Sequence, residues 1–170
     1  MRPFRYDAAR MNAFLGVLFR WLHIVPAAIV IGGVFMMRVV VPIGLTALDS
    51  PEQRHAVFLR CRRVFKMTTH PCILFLLVSG AYNTWTNWGA YRQTVPWSHA
   101  FWGPHLIMGV IVIGIALYVL AGKEPPRSHK SLMTANLVLL MFIVLAGGLT
   151  KWVRDHPAAY QRPDRLSAGR

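Results

Sequence analysis

From Trp21 to Met37 the chain carries no charged residue, yet it contains a histidine, His23. With the preceding Ala13 to Leu18 the apolar run is long enough to cross roughly 30 Å of hydrocarbon at about 1.5 Å per residue. An ionisable side chain is costly at such depth, so His23 must face protein or a cofactor rather than lipid. The run exceeds the length of a secretory signal, and no small-residue cleavage site closes it, so it reads as a permanent span.

Three more segments of the same kind follow. The spans cover about 13–37, 65–85, 101–121 and 132–152, each near the roughly 20 residues a membrane helix needs. They account for a composition that is 55% hydrophobic and only 15% charged, outside the range of ordinary soluble domains. Short connections force antiparallel neighbours. The expected fold is all-α: an integral membrane four-helix up-down-up-down bundle, one transmembrane domain over 1–170 with basic amino-terminal and carboxy-terminal tails. The expected location is the cell's inner (plasma) membrane, multi-pass.

The formal net charge of +13 follows the same plan. Lysines and arginines lie between the spans and in the tails, where they meet anionic headgroups and control topology, so membrane lipid is the expected partner and nucleic acid is not. Arg54, Arg60, Arg62, Arg63, Lys123, Arg127 and Lys130 place the first and third connections in the cytoplasm, whereas the basic tails argue for the opposite orientation.

Local signals refine this plan. Pro26 predicts a kink in the first span, and Ala28 with Gly32 offers a small-xxx-small contact face. Asp49-Ser50-Pro51-Glu52 is a helix-start signature, and Pro51 to Arg63 reads as a basic surface helix running into the second span. The connection 86–99 is rich in tryptophan and tyrosine and belongs at the aromatic interface. Pro104 suits the first turn of the third span, and the polar, proline-containing tail 154–170 is expected to be poorly ordered. Cys61 and Cys72 share one short segment and imply no disulfide.

Depth sorts the histidines. His23 and His105 enter from the same side on different spans, at matched depths of roughly 7–13 Å, so they can meet across the bundle. His99 lies nearer that interface, His70 enters from the other side, and His55, His129 and His156 read as solvated. Two histidines on different helices at one level are the minimum for bis-imidazole ligation of a b-type haem. Small residues stand beside them: Ala27 after His23, Gly109 and Ala116 after His105, and Gly80, Gly147 and Gly148 at the ends of the other spans. Asn83 reaches the same level, and Arg20 and Lys151 are placed to pair with propionates. The bland alternative is a non-catalytic accessory subunit in which glycines permit close packing and each histidine bonds a neighbouring helix. A competing chemistry is Cu(I) bound by His70 and Cys72 with Met36, Met37, Met67 and Met133, since imidazole, thiol and thioether suit that ion.

Taken together, Trp21-Leu22-His23 with Gly32-Gly33-Val34-Phe35 and Arg38, then Arg62-Arg63 leading through Pro71 to Ser79-Gly80, a histidine opening the third span, and Arg127-Ser128-His129-Lys130 before the fourth, resemble the HemJ-type protoporphyrinogen oxidase family and its relative, the CopD-type copper resistance membrane domain. The likeness covers about 19–153. It implies a four-helix membrane protein with b-type haem, and either oxidation of protoporphyrinogen IX or copper handling. The chain departs from the family pattern after His105, where Leu106-Ile107-Met108-Gly109 replaces an expected lysine, and at His70, where asparagine is expected. The function expected is that of a haem b-binding membrane redox protein, with a porphyrin or quinone as small-molecule partner, acting as a homo-oligomer or within a larger membrane complex. All six acidic residues lie outside the spans, and no phosphate loop or hydrolase triad is present, which argues against hydrolysis and phosphoryl transfer.

Overall fold

The structure is a computed structural model and describes residues 3–94, 97–122 and 124–156. Lys123 and the carboxy-terminal tail from 157 onward, both considered above, lie outside the described residues. Helix α1 (Pro3–Phe35) passes without interruption through Pro26, widens into one π-helical stretch at Met36–Val40, and continues as α2 (Val41–Leu45). Helices α3 (Pro51–Gln93), α4 (Trp97–Ala121) and α5 (His129–Asp155) complete the chain. Among the described residues, four helical rods are long and apolar enough to span a membrane: Met11–Leu45, Pro51–Gln93, His99–Ala121 and His129–Asp155. The protein is an all-α, multi-pass membrane bundle.

The helices outrun the spans. Helix α3 has 43 residues, about 64 Å at 1.5 Å per residue, twice the hydrocarbon thickness. Its start is the one the sequence signals: Ser50 is extended at the N-cap, its hydroxyl accepts from the Gln53 amide at 3.4 Å, and Pro51 opens the first turn. The polar segment 51–64 therefore forms the outer end of the second rod. Likewise 86–93, expected as a connection, extends that rod at the other end.

Packing divides the bundle into two antiparallel pairs. Helix α1 lies along α3, and α4 along α5, while contacts between the pairs are sparse. The apolar centre gathers Val30, Val34 and Met37 from the first rod, Phe65 and Cys72 from α3, Val112, Val119 and Leu120 from α4, and Met133 and Leu140 from α5. The close approach within the first pair is made at Gly33, where any Cβ would collide with the Phe65 ring. The Ala28/Gly32 face expected for that role is exposed instead. Gly33 and Phe65 lie on facing stripes, so the missing side chain of one makes the socket for the other.

Candidate functional site

His23 and His105 face each other across the gap between the two helix pairs, their ring centres 6.3 Å apart and their planes inclined by 37°. Both are half-buried. The depth arithmetic on the sequence thus corresponds to a real juxtaposition.

Each ring is held by the second helix of its own pair, and the two anchors are built alike. His105 Nδ1 lies 3.0 Å from the Ile143 carbonyl. A carbonyl only accepts, so the proton is assigned to Nδ1 and the lone pair to Nε2. Gly147 is one turn beyond Ile143, and a Cβ there would stand 3.2 Å from His105 Cε1 and 3.3 Å from Nδ1. The bare backbone is what lets the ring reach the carbonyl. In the other pair, His23 Nδ1 lies 3.0 Å from Ser79 Oγ, and the ring also interacts with the Leu76 backbone. One turn beyond Leu76 stands Gly80, whose Cβ would come within 3.4 Å of His23 Cε1. The Ser79 hydroxyl donates to the Phe75 carbonyl at 2.5 Å, so its oxygen accepts from His23 and the proton is again assigned to Nδ1. Ser79 also lies 3.4 Å from the Leu22 carbonyl, which Pro26, four residues on, cannot engage because it has no N–H.

Two imidazoles with Nδ1 engaged and Nε2 making no hydrogen bond among the described residues form a ligand-ready set, because the bond at one nitrogen fixes ring orientation for the other. A single first-row metal ion with a bond of about 2 Å to each ring requires ring centres about 6 Å apart. Gly109 faces open space one turn beyond His105, Ala27 is half-buried one turn beyond His23, and the backbones of the two pairs approach each other less closely than those within a pair. The donor set is that of two imidazoles which could hold one metal ion, free or in a macrocycle, between the helix pairs.

The remaining predicted residues are distributed as follows. Asn83 is half-buried and its amide donates to the Phe19 carbonyl at 3.4 Å, on the histidine side of the bundle. Arg20 is exposed. Lys151 is also exposed and is engaged with Asp155 at 2.5 Å. Arg154, which sequence reasoning left in the tail, has only 17% of its side chain exposed, and it bonds Asn87 at 3.1 Å and Asp155 at 3.3 Å. The signal that could have found it is spacing, since Val153 ends the buried stripe beside it. The sequence-predicted copper set is not brought together. His70 and Cys72, two residues apart on one helix, point about 200° apart; His70 is exposed and bonded to the Lys66 carbonyl at 2.7 Å, whereas Cys72 is buried. Met36 and Met67 face outward while Met37 and Met133 face inward. Among the described residues, no three His, Cys, Asp or Glu side chains converge on one point.

No family model and no solved structure matches the chain. It is similar to an uncharacterized protein of Aquifex aeolicus (strain VF5), with 29% identity over 145 residues, which covers 79% of this chain and 94% of the relative.

Proposed function

We propose that this chain binds haem b between its two helix pairs, with His23 and His105 as the residues that would hold its iron, and serves as a redox protein of the cell's inner membrane. The observation that carries the reading is the 6.3 Å juxtaposition of two imidazoles, each held at Nδ1 by the second helix of its own pair. Bound haem would supply one-electron transfer, with a potential tuned by its ligands and their hydrogen bonds. The chain's own residues do the rest. Ser79 and the Ile143 carbonyl keep the proton on Nδ1 and fix the ring planes, Gly80 and Gly147 let the rings sit close to their helices, and the exposed apolar faces of the rods keep the site within lipid. The half-buried Arg154 and the exposed Arg20 lie toward the same end of the bundle as counter-charges for propionates. The electron partner fitting a site at this depth is a quinol or a porphyrin, and the resemblance to HemJ-type oxidases favours the porphyrin.

The test is a reduced-minus-oxidised absorption spectrum of the detergent-purified protein with pyridine haemochrome quantification, on wild type, His23→Ala and His105→Ala. Sharp b-type bands at about one haem per chain, lost in each variant, are expected. A colourless wild type from cells supplied with ample haem, or bands that survive both substitutions, would sink the proposal.

A further inference from the structure

At the end of the bundle away from the histidine pair, a cavity of about 240 Å³ opens between Arg38, Arg62, His129 and Lys130. Among the described residues, no carboxylate lines it. Its remaining wall is apolar, with Met37, Phe65, Leu120 and Met133 among the lining side chains. Glu124, in the adjoining connection, is paired with His55 at 3.1 Å. Two arginines, a lysine and a histidine thus line a largely apolar pocket whose described lining carries no acidic side chain.

Both arginines are held in place rather than dangling. Arg62, 6% exposed, donates to the Val119 and Gly122 carbonyls at 2.6 and 3.0 Å and so tethers the end of α4. Arg38, carried on the π-helical stretch, donates from Nε to Thr134 Oγ1 at 2.6 Å. His129 packs against the edge of the Phe58 ring. It opens helix α5, whose N-cap Ser128 makes no side-chain cap, so the positive end of a 27-residue helix lies at the cavity wall. The polarity continues inward: one turn beyond Phe65 and Met133, Thr69 Oγ1 and both polar atoms of the Asn136 side chain are buried without a hydrogen-bond partner among the described residues.

We infer that this cavity binds the phosphate of an anionic phospholipid headgroup, with Arg38, Arg62 and Lys130 facing the oxyanion and the apolar wall receiving the upper part of an acyl chain. Size decides against a larger guest, since drug-sized ligands occupy upward of about 300 Å³ and a tetrapyrrole needs more. Position decides for a lipid, because these residues flank the ends of three spans, at headgroup level, where basic pockets between membrane helices take phospholipid heads. The site is separate from the histidine pair and does not depend on what that pair binds.

The experiment is a titration of the detergent-purified full chain with dioctanoyl phosphatidylglycerol, dioctanoyl phosphatidylcholine and inorganic phosphate. It is run on wild type, on Arg38→Gln with Lys130→Gln, and on Arg60→Gln with Arg63→Gln, which removes equal charge from exposed positions outside the cavity. Saturation at one phosphatidylglycerol per chain is expected, weakened about thirtyfold in the cavity variant, each cation being worth about fivefold, and unchanged in the control. Lys130→Gln alone, at an exposed residue, is expected to cost about fivefold and serves if the double variant does not fold. Equal weakening in both double variants, or equally tight phosphatidylcholine, would reduce the effect to diffuse surface charge and overturn the site. Displacement of the lipid by equimolar inorganic phosphate would overturn the lipid assignment in favour of a soluble anion.

Discussion

Two neighbouring glycines on α5 do different work. Gly147 stands against the His105 ring, whereas nothing lies within 4 Å of a Cβ on Gly148. Gly147→Val should push the imidazole off the Ile143 carbonyl and weaken haem retention about 10- to 100-fold, the range for losing a partner behind a metal ligand. Gly148→Val should leave it unchanged; haem titration of both, with helix content checked by circular dichroism, distinguishes them, and equal behaviour would refute the cradle. Sequence alone revealed that His23 and His105 share a level, because a helix converts residue number into depth. It did not reveal the anchors. Which carbonyl lies opposite a histidine depends on how two helices are rotated about their axes, and periodicity leaves that rotation free. A clue was present nonetheless: Leu76 to Gly80 and Ile143 to Gly147 present a carbonyl and a glycine at the same spacing, with small residues Ser79 and Ala146 between them, both buried.

The helices themselves were legible in type and order, less so in extent. Hydropathy marks where lipid ends, but a helix stops only where backbone chemistry stops it, so α3 runs from the Ser50 cap to Gln93 across both interfaces. The expected Ala28/Gly32 contact failed for the same rotational reason, since several small residues in the first span compete for one packing face. This is testable at Gly33 and Gly32, which differ only in what they face. Gly33→Ala drives a methyl into the Phe65 ring and should destabilise the first helix pair by about 1–3 kcal/mol. Gly32→Ala should stay within about 0.5 kcal/mol. Unfolding of detergent-solubilised protein with heat or increasing denaturing detergent reads the difference, and comparable losses would place the contact elsewhere.

As a whole, the chain enters and leaves the membrane so that residues 53 and 127 lie on one side and 93 and 156 on the other. Single cysteines at Gln53, Arg127, Gln93 and His156, all exposed, should therefore label with an impermeant maleimide in two groups, the first two together and the last two together. Any other grouping would contradict the antiparallel order. The alternation was readable from connection lengths, whereas the division into two closely approaching pairs was not, because hydropathy says that a helix is in the membrane and not which neighbour it prefers.

That division has a thermodynamic side. An occupant lying between the His23 and His105 rings touches both pairs at once, so the free energy with which it binds is also free energy of association of the two hairpins. Affinity for the ligand and cohesion of the halves become one quantity measured from two directions. A substitution that loosens the hairpins against each other, even one far from either imidazole, will be felt as weaker binding, and a saturating ligand will be felt as a stiffer, more heat-resistant molecule.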